Sequence, residues 1–180
     1  MTNPLPFSID RMATPIGELL IVADRDDKLR VIDWTDYEDR MLLLMRRHYG
    51  EGGFTLTPAR DPGGLTTAMR AYFKGDLGVL DRLTVATAGT PFQRDVWRAL
   101  RKIKCGTTIS YAELAHRIGR PSAVRAAGLA NGQNPISIVV PCHRVIGSDG
   151  SLTGYGGGIE RKRWLLAHES RAGSVLRRAG

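Results

Sequence analysis

Residues 134–147 read N-P-I-S-I-V-V-P-C-H-R-V-I-G. The apolar run at residues 136–140 has mostly β-branched side chains, which predicts a buried, extended segment. Pro135 and Pro141 fix φ and remove backbone donors, so this segment is predicted to be stiff and to end abruptly. A thiol, an imidazole and a guanidinium follow directly, at Cys142, His143 and Arg144.

Cys142 is the candidate nucleophile of the chain. A cysteine reacts as the thiolate, and neighbours such as His143 and Arg144 favour that form. The alternative is a buried cysteine that packs as a small hydrophobic residue, which is the usual role of an isolated cysteine. A cysteine that only packs in an apolar core is not expected to have two ionisable residues directly after it, so we favour the reactive interpretation.

The composition fits one large domain or two small ones. The chain has 180 residues, enough to bury a core, and its two cysteines, Cys105 and Cys142, argue against a disulfide framework. So few cysteines suit a reducing cytoplasm and cannot build a cysteine-rich zinc site. The longest early apolar run, residues 19–23, is too short for a signal peptide or a membrane span. We therefore expect a soluble, cytoplasmic protein with no membrane partner.

The net charge is divided unevenly along the chain. Residues 1–88 carry a formal charge of −2, whereas residues 89–180 carry +10. A basic half joined to a nearly neutral one predicts that the second half binds a polyanion, most often nucleic acid.

The first half predicts a small α/β scaffold without a reactive set of residues. Strand patterns that indicate an antiparallel meander lie at residues 7–12, 18–23 and 28–34. A helix capped by Thr35 or Asp36 is predicted to end at Tyr49. A second helix is predicted at residues 64–73, and a linker at residues 76–88.

The second half predicts a helix-turn-helix. Thr90 is a good N-cap for a helix that runs to about residue 103. Ser110 caps a short helix that ends at residue 118, and another short helix covers residues 122–131. Two short helices separated by a tight turn are typical of this DNA-binding motif.

The second of these short helices is dominated by small side chains, with Arg125 as the long one. Such a helix could simply pack tightly against another helix. In a basic domain we favour a helix that approaches a nucleic-acid backbone or a narrow groove closely, with Arg125 placed to enter the duplex.

The glycine-rich run at residues 154–158 is not a phosphate-binding loop, because no Gly-Lys-Ser/Thr follows it. It is interpreted as a wing or a pocket wall that lets a flat ligand approach the backbone. The last helix is predicted at residues 159–169 and is followed by a frayed basic tail. Its outward side chains are predicted to be Arg161, Lys162 and Arg163, and its inward ones Trp164, Leu165 and Leu166.

Residues 90–169 resemble the active-site domain of the O6-alkylguanine-DNA alkyltransferases, the methylated-DNA–protein-cysteine methyltransferases. The run at residues 141–145, P-C-H-R-V, matches the family's signature. Further matches in order and spacing are Ser110-Tyr111, Arg125, Asn134-Pro135, Gly154-Tyr155 and residues 164–169. Residues 14–17 and 62–65 resemble the bacterial constitutive form, so the resemblance covers nearly the whole chain.

The resemblance implies an α+β fold. Residues 1–88 would form an RNase H-like α/β domain and a linker, and residues 89–170 a winged helix-turn-helix domain that binds DNA and accepts the alkyl group. Residues 171–180 would be a disordered basic tail. The implied partner is double-stranded DNA that contains O6-alkylguanine and is contacted in its minor groove. The protein would act as a monomer, with cooperative binding along DNA left open.

The resemblance also implies a mechanism. Cys142 would accept the alkyl group after the damaged nucleotide has left the base stack. His143, acting through a water and oriented by Glu169, would generate the thiolate. Asn134 would hold the hinge before the active-site segment, and Tyr111 would assist nucleotide rotation and donate a proton to the departing guanine. No route back to the thiol is evident, so each molecule would act once.

Further contacts are implied around this centre. Arg125 would fill the vacated stack, and the backbone near Val145 and Tyr155 would recognise the guanine edge. The predicted DNA-binding residues are Thr90, Gln93, Ser110, Arg125, Ala126, Ala127 and Gly128. The predicted base pocket consists of Trp97, Val145, Tyr155, Gly156 and Gly157.

Two departures from the family pattern limit what is implied. Gly156 stands where some members have Ser, so a side-chain hydroxyl contact to the guanine oxygen is not expected. Some members bind zinc through Cys and His in the first domain, but residues 1–88 contain no Cys and one His. We therefore expect no metal and no cofactor. Alkyltransferase-like proteins replace the acceptor with Trp, and Cys142 argues against that class.

Two rival classes use parts of the same sequence. A winged-helix regulator would use the basic half without needing Cys142, and a cysteine hydrolase would use the thiol without needing the helix-turn-helix. The sequence leaves open the preference for methyl or bulkier alkyl groups, activity on O4-alkylthymine, and the role of the tail.

Overall fold

The first half of the chain forms a four-stranded sheet with strand order β3-β2-β1-β4. Its strands are β1 (Leu5–Thr14), β2 (Gly17–Ala23), β3 (Leu29–Trp34) and β4 (Phe54–Pro58). The first three form an antiparallel meander, and β4 pairs in parallel with β1. Residues 19–23 of β2 are all buried, which explains why this central strand is continuously apolar.

Two helices, α1 (Glu38–Tyr49) and α2 (Leu65–Phe73), accompany the sheet, and the connectivity is RNase H-like. The meander and both helices were predicted, but β4 was not. Its five residues are half-buried or exposed, so they carry no strong strand pattern. The predicted cap of α1 was wrong, since a 3₁₀ turn at Thr35–Tyr37 precedes the helix and no side chain caps it.

The predicted linker, residues 76–88, is more ordered than expected. It contains a 3₁₀ helix, Leu77–Arg82, in which Val79 and Leu80 are buried. Val85 then forms a β-bridge with Leu29. These residues therefore belong to the first structural unit.

The computed structural model describes the backbone of residues 3–178 and the side chains of residues 3–171. The contacts divide the chain into two compact units, Met1–Gly89 and Thr90–Gly180. The predicted boundary lies one residue earlier. No helix within residues 3–178 is long and apolar enough to cross a membrane.

The second unit is a winged helix-turn-helix. Its helices are α3 (Pro91–Leu100), α4 (Tyr111–Arg117), α5 (Val124–Gly132) and α6 (Ile159–Arg178). The first three pack against one another, with α4 and α5 as the helix-turn-helix. Two short parallel strands, β5 (Ile109–Ser110) and β6 (Val145–Ile146), join the chain that follows Cys142–Arg144 to the start of α4. Residues 147–158 form the wing between β6 and α6.

The predicted N-caps of α3 and α4 are confirmed. Thr90 and Gln93 form a reciprocal capping box, with hydrogen bonds of 3.2 and 2.9 Å. Ser110 Oγ accepts a hydrogen bond from the Glu113 amide at 3.1 Å. Each cap satisfies backbone donors that a helix start leaves without partners.

Helix α6 is longer than predicted. It was expected to end at Glu169 and to be followed by a disordered tail over residues 171–180, but its backbone is helical to Arg178. No proline follows Glu169, and Arg171 and Ala172 are good helix formers, so the residues directly after Glu169 do not stop the helix. The last two residues of the predicted tail lie outside the described part of the chain.

Candidate active site

The side chain of Asn134 holds residues 136–140, the segment before Pro141 and Cys142, in a turn. Its Nδ2 donates hydrogen bonds to the carbonyls of Val140 (2.7 Å) and Ile136 (3.3 Å), and its Oδ1 accepts one from the Ile136 amide (2.9 Å). These bonds draw the two ends of residues 136–140 together. The prediction of an extended segment was therefore wrong, although its burial is confirmed.

The turn inside this segment contains an unusual backbone conformation at Ile138, whose φ is 71°. A β-branched residue in the left-handed region is strained, at a cost of about 1–3 kcal/mol. The turn is closed by a hydrogen bond from the Val140 amide to the Ile136 carbonyl at 3.0 Å. The fully buried Ile138 side chain and the Asn134 bonds hold the turn in place.

Cys142 begins a single 3₁₀ turn, Cys142–Arg144, at the end of this segment. Its amide donates to the Val140 carbonyl at 2.8 Å, and the residue is 5% exposed. Both cysteines are free thiols, and Cys105 is half-buried near the end of α3. The thiol of Cys142 therefore has a fixed backbone and limited access to water.

His143 is fully buried, and its Nε2 lies 2.9 Å from Glu169 Oε1 on α6. An ionised carboxylate only accepts hydrogen bonds, so Nε2 carries the proton and Nδ1 keeps its lone pair. Among the described residues, Nδ1 has no hydrogen-bond partner. Burial lowers the pKa of His143 below its usual value and outweighs the opposite effect of Glu169. The imidazole is therefore neutral at pH 7 and can act as a base.

Arg144 is also buried, and it pairs with Glu169. Its Nε lies 2.9 Å from Oε2, and a terminal nitrogen lies 2.9 Å from Oε1, which makes a bidentate ion pair. The other terminal nitrogen donates to the Ile103 carbonyl at 2.7 Å. Burial alone would raise the pKa of Glu169, but His143 and Arg144 outweigh burial and hold it well below its usual value. The guanidinium of Arg144 thus stabilises the carboxylate of Glu169, whereas the sequence suggested that it stabilises the thiolate of Cys142.

Lys162 was missed as a site residue and was predicted to point outward. It is 0% exposed, and its Nζ donates to the carbonyls of Val145 (2.6 Å), Thr153 (3.0 Å) and Gly154 (3.4 Å). Burial lowers the pKa of Lys162, and the charge of Cys142 acts in the opposite direction. This ammonium therefore ties the wing to β6 and lies within electrostatic reach of the thiol. Helical spacing offered a signal, because Lys162 lies three residues before the buried Leu165.

Tyr111 lies where α4, α5 and the wing meet. Its hydroxyl donates to the Thr153 carbonyl at 3.0 Å, the same carbonyl that accepts from Lys162. The Lys162 ammonium lies 6.0 Å from the centre of the Tyr111 ring. A Cβ placed on Gly128 would lie 3.5 Å from Tyr111 Cδ1, so a side chain much larger than Ala would crowd the ring.

The predicted DNA-binding residues occupy different environments. Arg125 and Ala126 are exposed on α5, whereas Ala127 is buried and Gly128 is half-buried. Thr90, Gln93 and Ser110 serve as helix caps, and Gln93 Nε2 also donates to Gln133 Oε1 at 2.8 Å.

The residues of the predicted base pocket lie in different surroundings. Val145 is fully buried directly after the 3₁₀ turn, and Tyr155, Gly156 and Gly157 follow in the wing, half-buried or buried. Trp97 instead lies in the interior, where its Nε1 donates to the Ala130 carbonyl at 2.9 Å. This contact joins α3 to α5, so the structure assigns Trp97 a packing role.

No group of three or more His, Cys, Asp or Glu side chains that could hold a metal ion occurs within residues 3–171. The chemistry described above rests on the side chains of the chain itself.

Comparison with known proteins places this fold and site in a defined class. Residues 91–171 match the family described as the 6-O-methylguanine DNA methyltransferase, DNA binding domain. Among solved structures, Mycobacterium tuberculosis OGT in complex with DNA has 39% sequence identity and a TM-score of 0.75, over 93% of this chain and 94% of that one.

Curated relatives extend the match to nearly the whole chain. The methylated-DNA–protein-cysteine methyltransferase of Shigella flexneri is 52% identical over 160 residues, which is 89% of this chain and 94% of the relative. The protein of the same name from Salmonella typhi is 55% identical over the same shares. The chain belongs to the methylated-DNA–protein-cysteine methyltransferase family.

Proposed function

We propose that this protein repairs DNA directly, by moving an alkyl group, with methyl as the simplest case, from the O6 atom of an alkylated guanine to its own Cys142. Each molecule would act once, because a thioether offers no route back to the thiol. The observation that carries the proposal is the buried array in which Cys142 is followed by His143, whose Nε2 is held by Glu169. Family membership supports the same reaction.

The reaction begins with the loss of the thiol proton. His143 Nδ1, neutral and without a partner among the described residues, takes this proton directly or through a water. Glu169 then stabilises the imidazolium, and Arg144 keeps Glu169 ionised and oriented. Because the thiolate is the reactive form, this relay sets the rate of transfer.

In the transfer step the sulfur of Cys142 attacks the alkyl carbon. A C–S bond forms, the bond from that carbon to guanine O6 breaks, and its electron pair stays on the guanine. The guanine gains one proton from Tyr111, and Tyr111 recovers a proton through solvent when His143 releases the one that it took from the thiol. The net result is the transfer of one proton from the thiol to the guanine. Before it can donate, Tyr111 must release the Thr153 carbonyl that its hydroxyl now contacts.

The proposed substrate is double-stranded DNA, entered from the minor groove. A guanine inside the duplex cannot reach a thiol that is 5% exposed, so the damaged nucleotide has to leave the stack. The exposed Arg125 on α5 would occupy the gap. Asn134 fixes the backbone that joins α5 to Cys142, so the helix that holds the DNA is coupled to the nucleophile.

The wing would form one wall of the guanine pocket. Backbone groups at Val145, Tyr155 and Gly156 would meet the edge of the base. Lys162 supports this pocket, because its Nζ binds the carbonyls of Val145 and of Thr153 in the wing. No metal or cofactor is needed, since acceptor, base and proton donor all come from the chain. We also infer that the protein acts in the cytoplasm, where thiols such as Cys142 stay reduced.

Intact-mass analysis after mixing with a duplex that contains one O6-methylguanine tests this function. We expect a gain of one methyl group per protein, located on Cys142 by peptide mapping, and no gain in Cys142→Ser. Methylation of Cys105 would contradict the assignment. Product in excess of protein would indicate a hydrolase, and DNA binding without any change in mass would indicate a regulator.

A further inference from the structure

Helix α5 has two distinct faces. Its inner face consists of the buried residues Ala127, Ala130 and Asn131, and it packs against α3 and α4. Its outer face carries Arg125, Leu129 and Gly132 at spacings of four and three residues, which places them in one stripe. All three are exposed.

Leu129 is a large apolar side chain on this solvent-exposed face. It is 63% exposed, and the other large hydrophobic residues that are exposed within residues 3–171, Leu5 and Leu43, are less so. Its neighbours in the stripe do not shield it, because Gly132 has no side chain and a Cβ added there would meet nothing within 4 Å. Single exposed leucines are common, so exposure alone would mean little. The position of Leu129, one helical turn beyond Arg125 in a strongly basic unit, is what gives it meaning.

We propose that Leu129 is a second DNA-contacting side chain, which packs its apolar surface against the sugar and base edges of the minor groove beside the nucleotide that Arg125 replaces. This inference rests on the proposed function, since it assumes that the outer face of α5 meets DNA. The partner follows from charge complementarity, because residues 89–180 carry a net charge of +10 and the stripe itself carries a guanidinium.

The chemistry of Leu129 selects the part of the DNA that it touches. A leucine gains nothing from a phosphate, whereas deoxyribose and base edges are the apolar surfaces that minor-groove proteins contact with side chains of this kind. The small residues beside it, Ala126 and Gly132, let the helix come close enough for a four-carbon side chain to reach them. Leu129 and Arg125 therefore have complementary tasks, one apolar and one ionic.

The test measures affinity for a short duplex, with and without one O6-methylguanine, over a range of salt concentrations. Leu129→Ala should weaken binding by about tenfold, as expected for the loss of a few buried methylene-sized groups. The slope of log affinity against log salt should stay at the parent value, because no phosphate contact is lost. The loss of a side chain that pairs with a phosphate would instead make that slope shallower by about one unit. Leu129→Met, which keeps an apolar side chain of similar length, should bind within about twofold of the parent protein.

Leu43→Ala is the matched control, since Leu43 is a 45% exposed leucine on α1, and it should bind DNA as the parent does. Transfer from free O6-methylguanine base should be unchanged in Leu129→Ala. Parent-like affinity of Leu129→Ala, a shallower salt slope, or an equal loss with free base would each overturn the inference. If the parent protein bound duplex but removed no methyl group, the proposed function would fail while the affinity comparison still decided the role of Leu129.

Discussion

At the scale of single residues, Glu169 controls the chemistry of the site through two partners, the neutral imidazole of His143 and the guanidinium of Arg144. One of its oxygens faces both His143 and Arg144, and the other faces Arg144. A buried carboxylate without a permanent cation would tend to take up a proton, so the Arg144 ion pair keeps it available as an anion. The imidazole can then gain a proton beside a fixed negative charge.

Replacing Glu169 with Gln should slow alkyl transfer by at least about tenfold, because an amide can hydrogen-bond His143 but cannot stabilise its positive charge. Removing one partner of a buried ion pair should also cost about 3–5 kcal/mol of stability. Single-turnover kinetics and urea denaturation measure these effects. Glu160→Gln, an exposed glutamate on the same helix, is the control for both. A parent-like rate for Glu169→Gln would show that the relay is wrong.

Lys162 is the second residue whose role depends on burial. Its replacement with Met keeps the length of the side chain but removes the donor to three carbonyls and a positive charge near Cys142. We expect single-turnover transfer to slow by about tenfold or more and DNA affinity to change little, since the ammonium is buried. Arg163→Met removes an exposed charge from the next position and should leave the rate unchanged. Equal rates for the two variants would contradict this role.

At the scale of elements, α5 and the segment that follows it act as one unit. Asn134 bonds to both ends of the turn before Cys142, and the strained Ile138 lies between them. A backbone in the left-handed region persists only when its surroundings hold it, so the turn is stable in one arrangement. Helix α5 and the turn after it therefore leave Cys142 with little freedom of position.

Arg125→Ala should lower the saturated single-turnover rate on duplex DNA, because the gap left by the extruded base costs a few kcal/mol that the guanidinium offsets. The rate with free O6-methylguanine base, which needs no extrusion, should hardly change. Measuring both rates in one preparation provides the internal control. Proportional losses on both substrates would mean that Arg125 supports the pocket and does not enter the duplex.

At the scale of the whole molecule, each unit has a histidine, buried in the second unit and half-buried in the first, that couples its stability to pH. Burial lowers the pKa of His143 in the second unit, and burial together with Arg47 lowers that of His48 in the first. The unfolded chain therefore binds these protons at a higher pH than the folded one. The stability that each histidine contributes is present above its ordinary pKa of about 6.5 and is lost as the pH falls toward its folded value.

The free energy of unfolding should consequently decrease between pH 7 and pH 5, by at most about 1.4 kcal/mol per pH unit for each histidine. Urea denaturation at pH 7, 6 and 5 measures this slope. His48→Gln should reduce the slope of the free energy of unfolding against pH, and the slope that remains should be the contribution of His143. An identical slope in the parent protein and in His48→Gln would contradict the prediction for His48.

Local sequence patterns predicted the features that depend on neighbours in the chain. The caps at Thr90 and Ser110, the meander and the helix-turn-helix follow from capping chemistry and hydrophobic periodicity, and all are present. The resemblance to a known family predicted that Glu169 orients His143, although the two residues lie 26 positions apart in the sequence. Strand β4 was missed because its half-buried and exposed residues show no clear strand pattern. The continuation of α6 beyond Glu169 was missed because no residue pattern marks where that helix ends.

By itself, then, the sequence determined the two units, the basic half and the family of the chain, and it predicted Cys142 as the acceptor. Only the tertiary structure decided that residues 136–140 turn, that Arg144 serves Glu169, that Lys162 is buried and that Trp97 packs in the interior. In each case a polar group of a side chain finds its hydrogen-bond partner at a position that the local sequence pattern does not show. Hydrophobic periodicity in addition counts long charged side chains such as Arg144 and Lys162 as surface, although their partners bury them.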